Sequence, residues 1–216
     1  MADRYIFSTS EFTRVVHYCF FRFAYFLGRI LFRLKARGLE NLPKDRSFLI
    51  CPNHQSYMDG VIVPSVLPYG VLSRMFTLGF SPFFTGGIKN DIARLGRVVP
   101  IDPDTNLARS MRISAVGLKA GYNALIFPEG SLSCDGGLQP FKKGVAILAS
   151  ELKIPIVPVA IRGSFDAWSK VNTRIRLLPV EIVFGKAIEP KPVAGDDPAL
   201  REEQYRRLAQ EVRDQI

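Results

Sequence analysis

Apolar residues in this chain fall into short runs separated by longer amphipathic stretches. The runs at 47–51, 71–78, 97–101, 124–127, 156–161 and 175–184 are nearly continuous, the pattern of strands. Between them, a period close to that of a helix predicts helices at about 56–67, 105–120, 141–152 and 198–215. In the second of these, Leu107, Met111, Ser114, Ala115 and Leu118 share one face. The last is rich in Arg and Glu and is expected to dock through Leu200, Tyr205, Leu208 and Val212. Strands alternating with helices predict an α/β fold built from βαβ units.

The stretch before them is different. Residues 11–34, EFTRVVHYCFFRFAYFLGRILFRL, are strongly apolar and aromatic, yet Arg14, Arg22, Arg29 and Arg33 interrupt them. A membrane-spanning helix needs ~20 predominantly apolar residues, which this stretch does not provide. On an ideal helix the arginines fall within ~100° of one another. Val15, Cys19, Phe23, Phe26 and Ile30 fall at ~100–180° on the same scale, an apolar side adjoining them. Such a helix can lie in a membrane interface with its guanidinium groups among phosphates, or pack on the protein's own core; the aromatic load favours the interface. The polar connector Gly38–Asp45 divides an N-terminal helical segment, 1–37, from a domain spanning 38–216.

Composition narrows the function. Of 216 residues, 47% are hydrophobic and 23% charged, which excludes a disordered chain. The net charge of +9 implies an anionic partner: nucleic acid, a membrane surface or a phosphorylated ligand. Nucleic acid is not expected, because the arginines sit on an apolar helix and no recognition module is visible. Cys19, Cys51 and Cys134 lack metal or redox spacing, which fits a reducing, cytosolic environment. No signal-peptide cleavage pattern is seen.

Four segments carry candidate chemistry. In Cys51–Gly60, CPNHQSYMDG, His54 and Asp59 are five apart. On one helix they would point ~140° apart, so they meet only if His54 lies in the turn before the helix and Asp59 in its first turn. Ser56 would be the N-cap. Asp59 would then fix the imidazole tautomer and leave His54 as a general base. The same residues also fit a capping box, with Asp59 folding back onto the turn. A metal site is not expected, because no Cys or His cluster accompanies His54.

In the second segment, an apolar strand runs into Phe127-Pro128-Glu129-Gly130, placing Glu129 at the carboxyl end of a strand, where open α/β sheets bind ligands. Lys142 and Lys143 at the following helix start form either an anion site or a solvated turn. The third segment, Ala93–Pro103, puts Arg97 in a basic turn before a strand. The fourth, Ile154–Gly163, is a proline-interrupted strand ending in Arg162.

Together these segments resemble the glycerolipid acyltransferase family, of the lysophosphatidic acid acyltransferase type, over about residues 38–190. The His-x4-Asp motif is His54–Asp59, the Phe-Pro-Glu-Gly block is Phe127–Gly130, and the Val-Pro-Val-Ala-Ile block is 157–161. The resemblance implies a mixed sheet flanked by helices. It also implies acyl transfer from acyl-CoA or acyl-carrier protein, as co-substrate, to a lysophospholipid hydroxyl, with no further cofactor. His54 would be the base oriented by Asp59. Glu129, Gly130 and Ser131 would shape the acceptor site, with Arg97, Lys142, Lys143 and Arg162 as candidate phosphate contacts. The expected setting is peripheral or monotopic, among membrane lipids on the cytoplasmic face.

Two positions depart from the family: Leu132 and Pro103 stand where it carries arginines. Either another cation substitutes, or the acceptor is not a phosphomonoester. A thioester hydrolase and a non-catalytic lipid-binding protein are the rival readings. The absence of a Gly-x-Ser-x-Gly turn weighs against the hydrolase, and the presence of His54, Asp59 and Glu129 against the binding protein.

Overall fold

A computed structural model of the chain describes residues 11–80, 96–101, 107–193, 195 and 197–216. Seven strands form one sheet: β1 (Lys35–Arg37), β2 (Leu49–Pro52), β3 (Met75–Phe80), β4 (Val98–Ile101), β5 (Asn123–Leu125), β6 (Ile156–Arg162) and β7 (Glu181–Phe184). Their order is β1-β7-β6-β2-β5-β3-β4. All neighbours are parallel except β6 and β7, so the sheet is mixed.

Among the described residues the α-helices are α1 (Glu11–Leu31), α2 (Asp59–Ser65), α3 (Tyr69–Leu72), α4 (Leu107–Lys119), α5 (Gly144–Leu152), α6 (Ser164–Ala167) and α7 (Pro198–Asp214). Alternation along the strands sends neighbouring residues to opposite faces. Ile50, Val157, Val159 and Ile161 join one core with Phe21 of α1 and Ile62 and Val63 of α2. Leu49, Cys51 and Ile156 join the other with Ile113 and Leu118 of α4, Val145 and Leu148 of α5, and Tyr205, Leu208 and Val212 of α7. Both faces are covered, which is why the strands read as unbroken apolar runs.

Several boundaries differ from the sequence reading. Residues 71–78 do not form one strand: Val71 and Leu72 donate to the Pro68 carbonyl and close α3 before β3 begins. Only the end of 175–184 is strand, and Ile175 and Leu177 are exposed. Leu200 does not dock; it is exposed at the start of α7, and Ala209 is buried instead. Arg33 is not on the helix, because α1 ends at Leu31 and Arg33 turns the chain with φ 46°. β1, inside the segment assigned to the N-terminal helix, pairs with β7 at the sheet edge.

Candidate active site

Strand β2 delivers the chain to its carboxyl edge, and Asn53 holds it there. Its side-chain Oδ1 accepts from the Ile161 N–H at 2.7 Å and its Nδ2 donates to the Ile161 carbonyl at 3.0 Å. The buried amide thereby extends the β2–β6 ladder by one step, so the next residue leaves the sheet from a fixed point. That residue is His54.

Three contacts set the histidine. Its backbone N–H donates to Glu129 Oε1 at 2.6 Å, its carbonyl accepts from Ser133 N–H at 2.9 Å, and its ring stacks on Phe127 with centroids 3.9 Å apart. The ring Nδ1 lies 3.1 Å from Asp59 Oδ2. The same carboxylate oxygen accepts from the backbone N–H groups of Gln55 at 2.8 Å and Ser56 at 2.7 Å. Asp59 is fully buried at the first position of α2. With an acceptor opposite Nδ1, the tautomer protonated at that nitrogen is favoured, which leaves the Nε2 lone pair able to accept a proton.

The contacts that the two readings of the motif require are both present. Asp59 folds back onto the turn as a capping carboxylate and orients His54 with the same oxygen. Ser56 does not cap α2 as expected, since Met58 occupies the N-cap position. Its hydroxyl donates to the Trp168 carbonyl and accepts from the Met58 N–H at 3.2 Å, tying the turn to the segment after α6.

Glu129 is buried and turned inward. Besides His54 N–H it accepts from Gln139 N–H at 3.1 Å through Oε2. Burial raises its pKa above the ordinary carboxylate value, while the two backbone donors oppose that rise. It braces the histidine turn against the loop before α5. Gly130 follows with φ +75°, a conformation that favours glycine, and the Lys142 side chain lies over it, its Nζ 2.6 Å from where a Cβ would be. Ser131 is exposed beside it. Cys51, beneath the site, is a buried thiol whose pKa burial pushes up, so it is no nucleophile here.

The remaining cations are dispersed. Lys143 leaves the site to pair with Glu202 of α7 at 2.7 Å. Arg162 ends β6 at the same edge as His54 but lies 3.9 Å from Glu181 and is mostly exposed. Arg97 is not at the site: it precedes β4, buried, with its guanidinium donating to the Ser73 carbonyl. Strand register places it three strands from β2 and level with Leu49, hence ~14 Å across the sheet and ~17 Å below His54. Leu132 is half-buried in the loop after Gly130. Pro103 and the arginine-containing turn at 93–95 lie outside the described residues.

Sequence reading gave no role to Asn53 or Gln139, and named Phe127 only as part of a motif, without its stacking on His54. Each acts through a partner distant in sequence, and the one local signal was a polar residue, Asn53, directly after a buried strand.

The family model described as Acyltransferase matches residues 33–162, more than half of the chain, and spans His54, Asp59 and Glu129. The chain belongs to the glycerolipid acyltransferase family. The human 1-acyl-sn-glycerol-3-phosphate acyltransferase beta is 30% identical over 185 residues, covering 82% of this chain and 63% of that protein. The enzyme of that name from Cocos nucifera is 29% identical over 145 residues, 67% of this chain and 46% of its own. The crystal structure of the 1-acyl-sn-glycerophosphate (LPA) acyltransferase from Thermotoga maritima aligns with a TM-score of 0.66 at 25% identity, covering 92% of this chain and 79% of that one. The chain spans about half the length of the first curated plant relatives it matches.

Proposed function

We propose that this acyltransferase-family chain moves a fatty acyl group from acyl-CoA or acyl-carrier protein to the free hydroxyl of a 1-acylglycerol-3-phosphate-like lysophospholipid. One observation carries the reading: a histidine just past the carboxyl end of β2 with its Nδ1 held by a buried carboxylate. His54 Nε2 takes the proton of the acceptor hydroxyl as its oxygen attacks the thioester carbonyl. When the tetrahedral adduct collapses, the carbon–sulfur bond breaks and Nε2 returns the proton to the leaving thiolate. No acyl-enzyme is formed. The position of Lys142 over Gly130 supports it as the cation that meets an acceptor phosphate.

The apolar face of α1 supports attachment at a membrane interface, which we assign to the cytoplasmic leaflet. Phe12, Val15, Phe23, Phe26 and Ile30 are all more than half exposed. No described helix is long and apolar enough to cross a membrane. A second reading of the acceptor rests on Leu132, which removes a positive charge expected beside Gly130: a lysolipid with a larger head group, or another lipid alcohol, takes the place of the phosphomonoester.

The test is incubation of the protein with labelled acyl-CoA or acyl-carrier protein and a panel of lysolipids, with products identified by mass spectrometry. A new ester on lysophosphatidic acid supports the first reading, and preference for zwitterionic lysolipids supports the second. Release of free fatty acid without any lipid product overturns transfer.

A further inference from the structure

The strongest unassigned feature lies on the other side of α1 and away from His54. A cavity of about 340 Å³ opens between α1, β1 and the end of α2, and four of its lining side chains are Arg22, Arg29, Lys35 and Arg37. Among the described residues that line it, none is acidic. Tyr25 and Val66 supply apolar wall.

The cations are not equivalent. Arg22 is held in place, its guanidinium 4.5 Å over the Tyr25 ring and donating to the Ser65 carbonyl at 3.4 Å. Arg37 is paired with Glu181 at 2.9 Å. Arg29 and Lys35 make no ion pair among the described residues, and their charge is uncompensated within the cavity.

Its position on the helix decides what fits. Taking Arg22 as zero, Arg29 falls at ~−20°, the exposed Phe26, Ile30 and Phe23 between ~40° and ~100°, and the packed Phe21 and Gly28 near ~−100° and ~−120°. The basic cavity therefore occupies the seam between the exposed apolar stripe and the protein body. A helix with that stripe in a bilayer surface holds this seam at the level of the lipid phosphates.

We propose that the Arg22–Arg29–Lys35–Arg37 cavity is a binding site for the phosphate head group of an anionic membrane lipid, separate from the acyl-transfer site. Arg22 is the preorganised donor, and Arg29 and Lys35 are the charges the ligand neutralises. This rests on the interfacial reading of α1.

Co-sedimentation of the full chain with vesicles tests both. Wild type is expected to bind phosphatidylcholine vesicles weakly, and vesicles containing phosphatidylglycerol about 30-fold more tightly. Arg29→Gln with Lys35→Gln removes most of that preference and leaves binding to phosphatidylcholine alone unchanged, with an unaltered melting temperature. Lys44→Gln with Lys119→Gln removes equal charge elsewhere and is expected to retain the preference. The proposal is overturned if the Arg29/Lys35 variant keeps the preference or if both pairs lose it equally. It also fails if inorganic phosphate alone raises the melting temperature of wild type but not of the Arg29/Lys35 variant, which would make the ligand free phosphate. Absence of binding to either vesicle overturns the interfacial reading as well.

Discussion

The turn that carries His54 and the flank of α1 are both rich in polar groups, yet they handle charge in opposite ways. In the turn, almost every donor meets an acceptor inside the protein: one Asp59 oxygen serves His54, Gln55 and Ser56, and Glu129 serves His54 and Gln139. On α1 and β1, Arg29 and Lys35 face a cavity without acid partners, next to uncovered phenylalanines. The first region holds the imidazole in a fixed geometry with partners from the chain itself, although Asp59 Oδ1 is buried without a hydrogen-bond partner. The second leaves its cations for the ligand proposed above. If the first carries the proposed chemistry and the second the proposed lipid recognition, substitutions should separate them.

The largest effect belongs to the turn. His54→Ala is expected to lower acyl transfer by about 1,000-fold while the folded state persists, measured by initial rates alongside circular dichroism. A loss below tenfold would remove His54 from the chemistry. Asp59→Ala strips one acceptor from three buried or half-buried donors, and a stability loss of about 3 kcal/mol in urea unfolding is expected. Asp59→Asn keeps an oxygen for the backbone donors, so it should recover most of that stability but little of the rate.

Glu129→Gln gives a smaller effect with a pH signature. Because burial raises the native pKa of Glu129, the folded state holds its proton more tightly than the unfolded chain. Its contribution to stability is therefore full below the ordinary glutamate range and is lost as pH rises through the raised native value. Unfolding curves across mildly acidic pH should fall more gently in the glutamine variant. At neutral pH, loss of one backbone acceptor should cost it about 1–2 kcal/mol. An identical pH slope in both proteins would place the titration elsewhere. The smallest effect is expected on α1, where Phe23→Ser with Phe26→Ser should change stability by less than about 0.5 kcal/mol yet weaken vesicle binding. A large destabilisation would mean that this face packs on the protein itself.

The same contrast explains what could be read from sequence. His54 and Asp59 were legible because five residues of turn confine their geometry, and Glu129 because an apolar strand runs straight into it. The α/β class was legible from the alternation of runs and amphipathic stretches. Arg97 was not placeable, because its position depends on the register of three strand pairings. Lys143 looked like a ligand contact until α7, more than fifty residues later, supplied Glu202. β1 escaped notice because three residues with no apolar alternation carry no strand pattern; its pairing is dictated by β7.

Helix α2 has only seven residues, with Asp59 at one end and Ser65, which accepts from Arg22, at the other. At 1.5 Å per residue that is a rigid bar of about 10 Å. With α1 seated in a bilayer as proposed, the bar acts as a depth gauge. It sets the imidazole a constant height from the lipid phosphates, so that a hydroxyl reaches the base only at one level of the interface.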